Sequence, residues 1–345
     1  MSINIFSNKD SIKPFIIAEI GHNHKGSVEI AKKLFLSAKN CGADAVKLQK
    51  RDNKNLFIKN FYNQIYDNKN SYGKTYGQHR EKLEFGYKEY KELLKYSKKI
   101  KIKFICTPFD FNSLDFLEKF DLDGYKIASA DLKNLLLQEK IAKSNKPIFL
   151  STGGGTLLDI KKAAKNILKF NKKLSILHCT SSYPCDVENM NLNIITLLKK
   201  EFPKLVIGLS DHENGIDAAS VAYMLGARVF EKHFTLDRSW KGTDHCFSLE
   251  PDGLRKLVRN LHRIPLILGS KVKRLLNIEK KPLYKMSKSI VSAKNLKKGH
   301  KIKLEDLAFK SPGGGLSPDN YKFFINKKLN KDLNKDDIIK KIYFN

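Results

Sequence analysis

The sequence predicts an α/β protein, a closed (β/α)8 TIM barrel followed by a small β-rich domain. Three observations lead there. Between residues 15 and 269, eight short apolar runs alternate with helical patterns, as parallel strands joined by crossover helices do. Nearly every run ends in side chains that carry functional groups, which a barrel needs at the C-terminal ends of its strands only if it binds or reacts there. After Gly269 the alternation stops. A doubly wound open sheet is the competing reading of the alternating part.

The strand runs, in order, are FIIAEIG (15–21), AVKLQK (45–50), KFICTPF (103–109), YKIAS (125–129), PIFLST (147–152), LSILHCT (174–180), VIGLS (206–210) and VFEKHFT (229–235). Helical patterns fill the gaps. In SVEIAKKLFLSAKN the apolar residues Val28, Ile30, Ala31, Leu34, Phe35 and Ala38 recur close to the 3.6-residue period. Helices close on Asn40-Cys41-Gly42, Gly226 and Gly269. Residues 51–82, rich in Asn, Tyr and Gly, break the rhythm, and a connection this long on a barrel's catalytic face reads as a substrate loop. The domains are then 1–270 for the barrel, 271–288 for a basic linker and 289–345 for the tail. In the tail, SIVSA, HKIKLEDLAF and DDIIKKI suggest strands, with turns at Lys298-Gly299 and Pro312–Gly315. A domain that short is marginal by itself and should dock, with the open barrel mouth as the obvious place.

Composition narrows the class. Apolar residues make up 41% of the 345, enough for a large core. No apolar run approaches the ~18 residues of a membrane span, and the N-terminus lacks a signal-peptide pattern, so a cytoplasmic protein is expected. Five scattered Cys with no CxxC support neither a disulfide framework nor a zinc ribbon, and Cys41, Cys106 and Cys179 read as small core residues. The net charge of +29 is nearly all Lys spread along helices, so no nucleic-acid partner is expected, although the field would help collect small anions.

Barrel closure turns the strand ends into a ring. His212 and His233 end adjacent strands, and with Glu19, Asp211, Glu231 and Asp244 nearby they suit a labile divalent ion, Mn²⁺ best, since no Cys accompanies them. Lys47 and Lys126 sit inside apolar strands, where they either pair with strand-end carboxylates or bind an anion. Thr107, Ser129, Ser151 and Ser210 add hydroxyls, giving the makings of a phosphate and carboxylate pocket. TGGGT (152–156) offers backbone N–H groups near a helix start, and SWKGTDHCFSLEP (239–251) places Asp244 and His245 in a glycine-hinged loop.

Taken together, IAEIGHNHKG, AVKLQ, TPFD, YKIAS, LSTGG, LHCTSSYP, IGLSDHENG, EKHFTLDRSWKGTDH and KSIVSAKNLKKGHKIKLEDL resemble the sialic acid synthase family, and the tail is similar to its antifreeze-like (SAF) domain. The resemblance covers nearly the whole chain. It implies condensation of phosphoenolpyruvate with an N-acetylated amino sugar (N-acetylmannosamine or its 6-phosphate), with release of phosphate by C–O cleavage. It implies that His212 and His233 hold the metal and that Glu19 lies beside it. Lys47, Lys126, Thr107, Ser129, Ser151, Ser181 and Ser210 would hold phosphoenolpyruvate, while Gln49, Tyr183 and Asp244 face the sugar. Two residues depart from many bacterial members: Ser181 stands where they have Asn, and Lys288 where they have an Arg that touches the N-acetyl group. The family also implies a homodimer in which each tail covers the partner's barrel. A legionaminate-type synthase acting on a diacetamido-trideoxyhexose is the alternative within the family. A seven- or eight-carbon 3-deoxy sugar acid synthase would lack the tail, and a non-enzymatic binding module would leave the polar strand ends unexplained.

Overall fold

Side chains on a strand alternate between its two faces, so closure of the sheet fixes which of them share the barrel interior. The computed structural model describes residues 3–6 and 13–344. Eight parallel strands form the closed barrel: β1 (Phe15–Gly21), β2 (Ala45–Lys50), β3 (Lys103–Pro108), β4 (Gly124–Ile127), β5 (Ile148–Ser151), β6 (Leu174–Cys179), β7 (Val206–Asp211) and β8 (Val229–His233). β8 returns to pair with β1, Glu19 lying opposite His233 on one side and Lys47 on the other. The open-sheet alternative is thereby excluded.

The two faces of the strands separate cleanly. Ile16, Ala18, Val46, Leu48, Phe104, Leu150 and Phe230 point outward into a large buried cluster shared with the helices. Phe15, Ile17, Ala45, Ile105, Phe149, Leu177 and Val229 point inward and plug the lower barrel. Each of these side chains larger than alanine contributes ~1.5–3 kcal/mol of burial. The plug matters for function because it leaves only the next inward position on each strand free to face the mouth.

The helices follow their local signals. Val28–Asn40 starts at Ser27, whose hydroxyl accepts from the Ile30 N–H, and it buries Ala31, Leu34, Phe35 and Ala38, the stripe its period predicts. Leu157–Leu168 starts at a capping box of Thr156 and Asp159, directly after the three glycines. Residues 51–82 are not structureless. They fold into short helices Asn53–Leu56, Lys59–Tyr62 and Tyr76–Glu81, with Phe57, Phe61, Tyr66 and His79 gathered around Tyr76. The five cysteines are unpaired, and all but Cys246 are buried. Among the described residues, no helix is long and apolar enough to cross a membrane.

The chain divides into two compact units, Met1–Leu268 and Gly269–Asn345. The second has its own core of Ile290, Leu296, Ile302, Leu307, Phe324, Leu329, Leu333 and Ile339. Its sheet is small: β9 (Ser289–Ser292) pairs antiparallel with β10 (Leu307–Lys310), and DDIIKKI contributes a single bridge, Val291 to Ile338. Asp336, at φ +73°, turns the chain out of the extended conformation there. Asp306 clamps the unit. It is fully buried and accepts from His300 Nε2 (2.7 Å) and the Lys303 N–H (2.8 Å), with Lys294 Nζ at 2.9 Å. Burial would raise its pKa, but these three donors outweigh burial and hold it at about 2.

Candidate active site

Above the apolar plug, every strand supplies one inward residue: Glu19, Lys47, Thr107, Lys126, Ser151, Cys179, Ser210 and Glu231. Together they line an inner cavity of about 60 Å³. It continues through Gln49, Ser129, Tyr183 and His233 into an outer cavity of about 780 Å³, which is also lined by His22, Arg51, Arg80, Gly153–Gly155, Ser181, Thr243 and Asp244. The inner floor is lined by charged and hydroxyl groups, and the wider outer cavity opens above it.

Glu231 organises the floor. Its carboxylate lies 3.6 Å from both Lys47 Nζ and Lys126 Nζ and accepts from Ser210 Oγ at 3.0 Å. Burial favours its neutral form, but the two ammoniums and Ser210 overcome this and hold it at about 2. Lys47 Nζ also meets Glu19 Oε2 at 3.0 Å and donates to Thr107 Oγ1 at 3.2 Å. Glu19 is pushed above the usual carboxylate range, by burial first and by Glu231, with Lys47 opposing. Gln49 Nε2 donates to Glu19 Oε1 at 2.6 Å. The two buried lysines thus pair with strand-end carboxylates in the free protein. Ser151 Oγ, on the same floor, has no hydrogen-bond partner, a polar atom aimed at the space a ligand would take.

The histidines meet above this floor. The His212 and His233 rings are 5.4 Å apart between centroids. His212 Nδ1 is 2.9 Å from the Thr180 carbonyl, which holds a proton there, and although burial opposes it, Cys179 and that carbonyl raise the ring's pKa. His233 is held neutral at about 3, by burial foremost, and its Nδ1 is buried with no hydrogen-bond partner, Asp244 Oδ2 lying 3.6 Å away. Two facing imidazoles, one of them with a partnerless buried nitrogen, fit a divalent ion that binds in place of a proton. Among the described residues, no group of three or more His, Cys, Asp or Glu is arranged to hold one, so the rest of its shell would have to be water and substrate.

The structure redistributes several expectations. Asp211 is turned away, its Oδ2 accepting from Lys232 Nζ at 2.8 Å and its Oδ1 from the Glu213 N–H. His24 stacks on Phe85 and His178 is bonded to the Met190 carbonyl, so both are core histidines. His245 is buried against Thr235 Oγ1 at 2.7 Å. Cys179 is buried as expected but faces the inner cavity. Burial raises its thiol, yet His212 and Ser129 bring it down to about 7. A Cβ at Gly153 would meet the Ser181 hydroxyl and displace it, and the Gly153 N–H reaches Ser129 Oγ at 3.0 Å. Lys288 lies in the second unit, bonded to Ser311 Oγ at 2.8 Å. The organising role of Glu231 and the places of Arg51 and Arg80 in the outer cavity were not foreseen. Glu231 had a signal, standing two residues before His233 and therefore on the same face of β8.

Residues 34–273 match the model of the NeuB family, and residues 287–341 match that of the SAF domain. The chain is 37% identical over 326 residues to the human N-acetylneuraminate-9-phosphate synthase, covering 94% of this chain and 91% of that protein. It is 39% identical over 332 residues to the N,N'-diacetyllegionaminic acid synthase of Campylobacter jejuni, covering 95% and 99%. Among solved structures, the N-acetylneuraminic acid (sialic acid) synthetase of Leptospira borgpetersenii, in complex with citrate, superposes with a TM-score of 0.68 at 34% identity over 78% of this chain and 90% of that one. A truncated 3-deoxy-D-arabino-heptulosonate 7-phosphate synthase from Thermotoga maritima shares the fold, with a TM-score of 0.55 at 17% identity.

Proposed function

The chain belongs to the NeuB family, and from that premise we propose that it joins phosphoenolpyruvate to the aldehyde carbon of an N-acetylated amino sugar, releasing phosphate. The observation that carries the reading is the inner floor, where two ammoniums, two carboxylates and the hydroxyls of Thr107, Ser151 and Ser210 converge from separate strands, with Ser129 at its edge. Phosphoenolpyruvate would displace Glu231 as counter-ion to Lys47 and Lys126, so the lysines exchange one anion for another without losing charge compensation. Ser151 then gains the partner it lacks, and Ser181 sits where the loop at Gly153 opens to the mouth.

The chemistry follows from that placement. The electron pair of the C2–C3 double bond of phosphoenolpyruvate forms the bond from C3 to the aldehyde carbon, whose oxygen takes a proton and becomes a hydroxyl. Water adds to the cationic C2 as its proton passes to Glu19, whose raised pKa suits a base. The C2–O bond to phosphate then breaks, phosphate leaves with the electron pair, and the C2 hydroxyl loses its proton to become the ketone. Lys47 and Lys126 balance charge throughout. Gln49, Tyr183 and Asp244 line the outer cavity and would orient the sugar. A divalent ion at His212 and His233, for which we propose Mn²⁺, would polarise the aldehyde when bound.

The test is a substrate panel. With phosphoenolpyruvate and Mn²⁺, N-acetylmannosamine, its 6-phosphate and diacetamido-trideoxyhexoses are incubated separately and products identified by mass. At least one nonulosonic acid or its phosphate is expected, together with stoichiometric phosphate. No product from any of the sugars would sink the proposal.

The working unit we propose is a homodimer. Leu266, Ile267, Val272, Leu275 and Ile278 are all more than half exposed in the single chain, an apolar run that association would cover. Light scattering should give twice the 39.5 kDa chain mass, and deletion of residues 289–345 should abolish activity. A monomer that stays fully active after the deletion would refute both the dimer and the tail's role.

A further inference from the structure

The residue that follows His233 has both of its backbone groups tied to β1 and the turn after it. The Phe234 N–H donates to the Glu19 carbonyl at 2.8 Å, and the Phe234 carbonyl accepts from Asn23 Nδ2 at 2.9 Å. Gly21, at φ +50°, turns the chain at the end of β1, and the Asn23 N–H closes that turn on the Ile20 carbonyl at 2.8 Å. The turn buries Asn23 and sets its amide beside the end of β8.

Asn23 reaches one link further. Its Nδ2 also donates to Ser248 Oγ at 3.0 Å, and Ser248 Oγ donates to the Asp244 carbonyl at 2.6 Å. The sense of every link is fixed by chemistry. The Phe234 carbonyl can only accept, so the nitrogen end of the Asn23 amide faces it, and the second hydrogen of Nδ2 goes to Ser248. The Asp244 carbonyl can only accept as well, so the Ser248 hydrogen points there. Ser248 is as deeply buried as Asn23. Beside this link, the Leu249 N–H donates to the His233 carbonyl at 2.8 Å and closes the root of the loop that carries Asp244. The Asp244 carboxylate is held more loosely than its backbone. Oδ1 accepts from the hydroxyl of its neighbour Thr243 at 2.8 Å, and Oδ2 stands 3.6 Å from His233 Nδ1, too far for a hydrogen bond.

We propose that Asn23, acting through Ser248, is a positioning residue for the acceptor sugar: it fixes the backbone at Asp244, and with it the place of the Asp244 carboxylate relative to His233. The inference rests on the condensation proposed above, in which Asp244 orients the sugar. Asp244 lines the outer cavity, whereas Asn23 and Ser248 stand behind the wall of both cavities and act on a substrate only through it. A small displacement of an orienting group costs much of the alignment it provides. A pin that served stability alone would affect both substrates alike.

The experiment measures KM for phosphoenolpyruvate and for whichever sugar of the panel is turned over, in the full-length protein, in Ser248→Ala, in Asn23→Ala and in the double variant. Ser248→Ala removes a single hydroxyl. It is expected to raise the KM for the sugar about tenfold while changing that for phosphoenolpyruvate by less than about threefold. Asn23→Ala should show the same split, and the double variant should raise the sugar KM no further than Asn23→Ala does, because the two residues act through one chain of bonds. Hydrogen–deuterium exchange without substrates should quicken about fivefold in residues 236–248 of Ser248→Ala and stay unchanged in the barrel strands. Should Asn23→Ala not fold, Ser248→Ala decides on the KM split and the exchange. An unchanged sugar KM in Ser248→Ala, an equal rise for both substrates, or additive effects in the double variant overturns the positioning role and leaves the condensation standing. Absence of any product from the parent protein fails the condensation itself. The pin is then decided by exchange alone, and an unchanged rate in residues 236–248 of Ser248→Ala overturns it.

Discussion

We expect His233→Ala to abolish turnover, and the parent protein to lose its activity to exhaustive chelation and to regain it with Mn²⁺. The expected loss is about 10³-fold or more, since a Lewis-acid contribution of several kcal/mol, at ~1.36 kcal/mol per tenfold, is removed outright. Asp211 is held by Lys232 and is not free to ligate in place of His233. Metal content after dialysis, read by mass spectrometry, should fall in His233→Ala and in His212→Ala alike. Full activity of the parent protein after exhaustive chelation would end the metal assignment.

Lys47→Met costs both stability and activity. The substitution leaves Glu19 and Glu231 buried beside each other with Lys126 as the one remaining ammonium near Glu231. Breaking a buried pair in this way costs about 3–5 kcal/mol. The pH dependence has a definite sign. Glu19 already binds its proton more tightly than an exposed carboxylate, and Lys47 is the influence that opposes this. Without Lys47 its folded-state pKa rises further above the unfolded value, so the folded variant holds a proton the unfolded chain has released. Its stability is then best at low pH and falls as pH rises through the raised folded pKa. The melting temperature of the variant should therefore lag the parent more at pH 8 than at pH 5, and turnover should drop by about 10²-fold or more through loss of the charge held against phosphate. A variant as stable as the parent at pH 8 with an unchanged KM for phosphoenolpyruvate would show that Lys47 is not part of the floor's charge balance.

Much of this was written locally. The apolar runs marked all eight strands to within a residue or two, because a buried parallel strand needs a continuous apolar stretch and a polar stop. The helices were legible from their stripes and caps, as in Ser27 before Val28–Asn40. The inward face was also legible, since two-residue alternation is a property of the strand alone: Glu19, Lys47, Lys126 and Ser210 follow from it directly. The tail's strands were less so. DDIIKKI has the composition of a strand, yet Asp336 takes a left-handed conformation that composition does not announce.

By itself, then, the chain's order of residues determined the barrel, the position of its mouth and the kinds of group that ring it. Only the tertiary structure decided which of those groups are spoken for. Asp211 was a ligand candidate until Lys232, 21 residues away, was seen to hold it. Glu231 was one nearby carboxylate among several until closure placed it between two ammoniums from other strands. Arg80 stood in a long connection until closure brought it to His22, 58 residues away. The reason is physical: hydrophobic period and capping act over a turn or a few strand residues, whereas a hydrogen bond or ion pair in a closed barrel depends on angles set by all eight strands at once.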